Sequence, residues 1–239
     1  MAKVKHIRQF TIGPLVPVDR FDRSKHYVMV VDSNREYNGI RCREGFNAVP
    51  NNYQQDSGAG KIHFTTLEHL PYFYNRGAYI AELVVPEYTN LILTSNNDEY
   101  EVDRINILKF WNLNDFLAYV GYIEINFYAD FSTLETAKGL ENLKTIKGTA
   151  FFDRLISAEG LENLESIESG AHFNNLVSAK GLRSLETIGL DAVFPQLKTA
   201  EGLENLQSIG GDAYFNSLKK EKVAHIKVGG SLYTQEVRQ

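Results

Sequence analysis

Cys42 stands between Arg41 and Arg43. Flanking guanidinium groups favour the thiolate, the nucleophilic form, wherever the sulfur reaches solvent. A lone cysteine is more often a small buried hydrophobe, and burial is the expectation here. The six histidines, His6, His26, His63, His69, His172 and His225, show no His-Glu-x-x-His spacing. His63 and His69 fall across an expected strand–helix junction. With Cys42 the only cysteine, no multi-cysteine site can form, so no metal is expected. Gly58-Ala-Gly-Lys61 echoes a phosphate loop without its spacing, and Ile62 stands where that motif carries Ser or Thr. The acidic run Asp98-Glu-Tyr-Glu-Val-Asp103 offers carboxylates either for chemistry or as a solvated turn.

The elements that must position these groups read as a mixed α+β domain over residues 1–112. Strands are predicted at His26–Val31, Lys61–Thr65, Ala78–Val85, Leu91–Thr94 and Tyr100–Leu108. A helix is predicted after Thr65 or Thr66, where Thr65-Thr-Leu-Glu68 fits a capping box and Asn75-Arg-Gly77 a stop. Pro71 would shorten it. Asn47–Gly60, rich in turn residues, reads as a loop.

Five segments of this half, in order, carry a resemblance. They are Tyr27-Val-Met-Val-Val-Asp32, Tyr37-Asn-Gly-Ile-Arg-Cys-Arg-Glu-Gly-Phe46, Gly58-Ala-Gly-Lys-Ile-His-Phe-Thr-Thr66, Ala78-Tyr-Ile-Ala-Glu-Leu-Val-Val85 and Asp98–Asp103. The layout resembles the ADP-ribosyltransferase fold of the poly(ADP-ribose) polymerase type. The resemblance implies Glu99 as the catalytic carboxylate, His63 in place of a nicotinamide-stacking tyrosine, and NAD as the cofactor. Val30 stands where that family has a ribose-binding histidine. Asn38-Gly-Ile40, Gly45-Phe-Asn47 and His63-Phe-Thr-Thr66 also resemble N-terminal domains that precede repeat arrays in proteins of large DNA viruses. That likeness implies a virus- or phage-encoded protein acting on host factors.

The second half, residues 113–239, is an internal repeat. Segments starting at Ala137, Ala158, Ala179 and Ala200 align with a 21-residue period. Gly139, Gly160, Gly181 and Gly202 form one column, and Phe152, Phe173, Phe194 and Phe215 another. Three leucine columns and the column Ile146, Ile167, Ile188, Ile209 complete the pattern. A degenerate copy precedes them, with Ile125, Ala129, Phe131 and Leu134 in register. A shortened one follows, where Val228 and Tyr233 mirror Ile209 and Tyr214. One copy cannot bury its own apolar face, so the copies must stack. Ala-x-Phe alternation predicts a half-buried strand, and Gly-Leu-x-x-Leu-x-x-Ile a helical turn or tight arc. Phe110 to Val120 reads as a capping helix, with Asn112 or Asn114 as N-cap. Lys138, Glu159, Lys180 and Glu201 would alternate in sign along the stack, a ladder that fixes register.

Units of the form Leu-x-x-Ile-Gly-x-x-Ala-x-Phe, here Leu185 to Phe194, resemble leucine-rich-repeat solenoids of the receptor L-domain style. They depart from the commoner Leu-x-x-Leu-x-Leu-x-x-Asn consensus. The resemblance implies a right-handed leucine-rich-repeat-like β-solenoid whose usual partner is a protein and occasionally a sugar. On its strands, the residues between the buried Ala and Phe face outward. They are Asp130, Phe151, His172, Val193 and Tyr214, with Tyr233 beyond. An exposed stripe of large side chains marks an interaction surface.

Composition bounds the partners. A net charge of −5 lacks the footprint of nucleic-acid binding, and the one basic cluster, Lys3, Lys5, His6 and Arg8, is terminal. The start lacks an apolar run like that of a signal peptide, and no stretch reaches the ~20 apolar residues of a membrane helix. One cysteine favours a reducing compartment. The sequence therefore reads as a cytoplasmic, non-enzymatic protein-binding repeat protein without a cofactor. An NAD-dependent ADP-ribosyltransferase and a self-assembling structural protein are the alternatives.

Overall fold

The computed structural model of the chain describes Asp22 and residues 26–49, 61–87, 89, 91–93 and 99–235. The terminal basic cluster, Gly58–Gly60, Thr94 and Asp98 lie outside the described residues. The backbone separates into two compact units, Met1–Leu113 and Asn114–Gln239.

Unit 1 contains β1 (Tyr27–Val31), β2 (Glu36–Tyr37), β3 (Ile40–Arg41), β4 (Gly45–Ala48), β5 (Ile62–Phe64), β6 (Tyr79–Val84), β7 (Leu91–Leu93), β8 (Tyr100–Val102) and β9 (Arg104–Asn112). An antiparallel sheet has the order β1-β6-β9-β4, and a smaller one the order β5-β8-β7. Tyr27, Met29 and Val31 alternate into a core with Ala81, Leu83, Ile105 and Ile107, while Val28 and Val30 on the opposite face are buried as well. Phe64 stacks on Tyr100 with centroids 5.3 Å apart, and Tyr27 meets both rings edge-on. The β2–β3 hairpin turns through Asn38 (φ 48°) and Gly39 (φ 75°), a pair whose residues tolerate the left-handed region.

The helix predicted after Thr66 is not formed. Leu70–Tyr72 and Tyr74–Arg76 are short 3-10 turns instead. Pro71 has no N–H to donate to an i−4 carbonyl, so the chain closes the tighter i−3 bonds. Tyr72 N–H donates to His69 O (3.1 Å) and Phe73 N–H to Leu70 O (2.9 Å). Phe110 and Trp111, assigned to the capping helix, extend β9 and pair with Ala81 and Ile80. Asn47 and Ala48, assigned to a loop, belong to β4, whose partner β9 lies far along the chain.

Unit 2 is a parallel β-solenoid of about five turns over residues 124–234, with ~21 residues per repeat. Two six-stranded parallel sheets run along it. The isoleucine sheet aligns Ile125, Ile146, Ile167, Ile188, Ile209 and Val228. The alanine sheet aligns Ala129, Ala150, Ala171, Ala192, Ala213 and Leu232. Inside, Phe131, Phe152, Phe173, Phe194 and Phe215 are fully buried and stacked, at centroid spacings of 5.1, 5.0, 5.0 and 5.4 Å. The expected columns are therefore present, including the degenerate first copy and the shortened last one.

The Leu-x-x-Leu-x-x-Ile arc is a succession of i−3 turns leading into the isoleucine strand, a second strand per coil that the repeat pattern did not disclose. Leu140 N–H donates to Ala137 O (3.0 Å) and Leu143 N–H to Leu140 O (2.9 Å), repeated coil by coil. The helix α1 (Leu113–Val120) lies over the first coil, so tightly that a Cβ on Gly139 would meet Asn114 O at 2.5 Å. Of the charge ladder, Lys180 and Glu201 approach to 3.3 Å.

Candidate functional site

The outward column of the alanine sheet is built by its strands of two or three residues, whose alternation turns Ala (Leu232 in the last) inward and its successor out. Phe151 and His172 stack at 4.6 Å and 14°, and Tyr214 and Tyr233 at 4.6 Å and 5°. Val193 is the register partner of both His172 and Tyr214 and joins the two pairs. Phe151, His172, Val193 and Tyr214 are half-buried against each other, and Tyr233 is 43% exposed. Stacked rings at the coil spacing give a rigid, amphipathic strip with little side-chain entropy left to lose on binding.

Asp130 takes its predicted place in the column, in register with Phe151, but it is not exposed there. It is only 7% exposed. Its Oδ1 accepts from the Ser132 N–H (3.1 Å) and hydroxyl (2.5 Å), and its Oδ2 from the Tyr128 hydroxyl (3.1 Å). Burial without partners would be costly for a carboxylate, and these donors satisfy it. The aromatic group at this end is Tyr128, set edge-on to Phe151 at 5.6 Å. Sequence reasoning missed it because it lies outside the repeat column, two residues before Asp130.

In unit 1, Val28, Val30, Tyr37, His63, Phe73, Arg76 and Glu99 line a cleft of about 230 Å³ open to solvent. It joins His63 and Glu99, the two residues singled out from the sequence, with Val30. β5 carries His63, and Glu99 precedes β8, which pairs with β5. Arg76, at the end of the second 3-10 turn, forms a salt bridge with Glu99 and sits 4.2 Å over the Phe73 ring. His63 places Nδ1 3.8 Å from Glu99 and Nε2 3.8 Å from Glu101. Lys61 Nζ lies 2.5 Å from Glu101.

Burial pushes the Glu99 carboxyl up, but His63 and Arg76 outweigh it and hold it below its ordinary value. Burial, reinforced by the charge on Glu99 and opposed by Arg76, pushes Tyr37 up to about 12. The cleft is thus lined by an ionised carboxylate already paired, and by a phenol that stays protonated. Arg76 and Tyr37 were not singled out from the sequence, since only chain folding brings residues this far apart together.

Cys42 is buried, with Sγ 3.5 Å from Ile40 O. Burial, aided by Asp32 and Glu36, raises its thiol to about 11, so Arg41 and Arg43 do not activate it. His69 Nδ1 lies 3.1 Å from the Thr66 hydroxyl. Among the described residues no group of three His, Cys, Asp or Glu side chains could hold a metal ion, and no described helix is long and apolar enough to cross a membrane. No family model, no curated protein and no solved structure matches the chain.

Proposed function

We propose that this is a non-enzymatic, protein-binding repeat protein that takes its partner on the outward column of the alanine sheet. The stacked pairs Phe151–His172 and Tyr214–Tyr233 carry the reading. Aromatic side chains anchored on a rigid frame are the groups that dominate protein interfaces. The finer likeness to leucine-rich-repeat solenoids belongs to this reading, with a right-handed winding, the sense that parallel crossover connections favour. A single cysteine accords with a reducing, cytoplasmic setting.

The test is site-directed. A photo-crosslinker at Val193 should join the chain to a protein from its native cell extract. The same group at Thr187, on the other sheet, should not. Phe151→Asp combined with Tyr214→Asp should abolish the adduct while leaving the melting temperature within a few degrees. Equal adducts from both positions would refute the assignment.

The cleft of unit 1 supports ADP-ribosyl transfer less well. Val30 offers no hydrogen bond to a ribose, Arg76 already occupies Glu99, and the enclosed space of about 10 Å³ has room for little more than one water molecule. These residues do not fit NAD as they stand. A rise in melting temperature with NAD, with nicotinamide released by the parent chain and not by Glu99→Gln, would reverse that judgement.

A further inference from the structure

The last described coil differs in charge from the rest of an acidic chain. Lys219, Lys220, Lys222 and Lys227 are all exposed, with Glu221 the only acid among residues 219–227. Among the described residues none of the four lysines takes part in a salt bridge.

Among the described residues the same coil ends both sheets, with Lys227–Val228 and Leu232–Thr234 as their last strands. Hydrogen-bond direction fixes what those edges offer. In the alanine sheet each coil donates onward: Ala171 N–H to Asp191 O, Ala192 N–H to Asp212 O, Ala213 N–H to Ser231 O, all 2.8–2.9 Å. Leu232 is the register partner of Ala213, and Thr234 that of Phe215. Their N–H groups therefore point away from the stack. In the isoleucine sheet the direction reverses, with Gly210 N–H donating to Ile188 O and Gly229 N–H to Ile209 O. Val228 O continues that series outward.

A sheet edge with oriented donors is a template for another extended strand. The lysines decide which strand. Two such edges meeting would bring like charges together, whereas an acidic segment would meet the lysine run that starts beside this edge, where Gln235 N–H donates to Leu218 O (2.8 Å), one residue before Lys219. We infer that this end of the solenoid binds an acidic, extended peptide segment, which adds as a further strand against Leu232–Thr234. The inference is independent of the aromatic column, which lies on the face of the sheet and not on its edge.

The probe is a labelled synthetic peptide of alternating Glu and Val, titrated into the full chain by fluorescence anisotropy and amide NMR. The acidic peptide should bind, with the Leu232 and Thr234 amides shifting most and gaining protection from exchange. Reversing the four lysines together (Lys219→Glu, Lys220→Glu, Lys222→Glu, Lys227→Glu) should weaken it roughly tenfold or more. Thr234→Pro, which removes one edge donor and leaves the lysines intact, should weaken it as well. The inference fails if the acidic peptide does not bind, or if a Gln–Val peptide binds equally. It fails equally if a single-stranded oligonucleotide binds more tightly, or if Thr234→Pro binds as the parent does.

Discussion

Both carboxylate oxygens of Glu162 accept from the backbone N–H of Gly160, each at 3.0 Å. The same bond recurs from Gly139 to Glu141 and from Gly202 to Glu204. In all three coils the glycine has φ near +100°, a region that disfavours side chains, and the carboxylate ties down the turn. In the remaining repeat the matching residue is Arg183, and there Gly181 loses the positive φ and joins a 3-10 turn, Lys180–Leu182. Glu162→Ala should therefore lower solenoid stability by about 1 kcal/mol, as loss of a cap does. Arg183→Ala should change it by no more than about 0.5 kcal/mol. Urea midpoints of the two variants check this, and equal losses would refute it.

The phenylalanine ladder predicts a steeper contrast. Phe173 is fully buried between Phe152 and Phe194 at 5.0 Å on each side. Phe173→Ala removes contacts to both neighbouring coils and leaves a cavity between them, at a cost of about 3–5 kcal/mol. Ile156, equally apolar but 63% exposed, should cost less than about 0.5 kcal/mol when changed to alanine. Denaturant unfolding of the two variants measures the difference directly.

The solenoid was legible because stacking in register turns one structural position into a sequence column. Phe152 and Phe173 share an environment, so they share a residue type. The isoleucine strands were not legible, since two residues are too few to show a period of two, and their Leu-x-x-Leu-x-x-Ile approach mimics a helix. Unit 1 has no repetition to average over. Its β4 is a strand only because β9 lies beside it, and Phe110 and Trp111 continue β9 although their spacing to Leu113 and Leu117 suits a helix. Of the sites, the aromatic column was visible because the repeat exposes one position per coil. The pairing of Arg76 with Glu99 depends on a turn that Pro71 reshapes, so the sequence pattern carried no sign of it.

Cys42 provides a direct probe of unit 1. A thiol raised from 9.0 to about 11 by burial has a thiolate fraction lowered about a hundredfold at neutral pH. Native protein should react with an aromatic disulfide reagent at least about a hundredfold more slowly than urea-unfolded protein at pH 8. Fast labelling of the native chain would show that the sulfur reaches solvent and that the β3 region opens.

Glu99 makes unit 1 sensitive to acid. Burial alone would raise its pKa, but His63 and Arg76 lower it below 4.5 in the folded chain. A carboxyl depressed by folding contributes stability that is fully present above its unfolded pKa and is lost as pH falls through its folded one. The Arg76–Glu99 contribution should thus be intact at pH 6 and decline below about pH 4.5. Glu99→Gln removes the titrating group, so its urea midpoint should be lower than the parent's at pH 6, with the gap closing toward pH 3. Arg76→Ala should bring the Glu99 carboxyl upward, which carboxyl NMR titration reads without any unfolding. A gap between parent and Glu99→Gln that stayed constant from pH 6 to pH 3 would mean that the ionised carboxylate adds nothing, leaving only packing at that position.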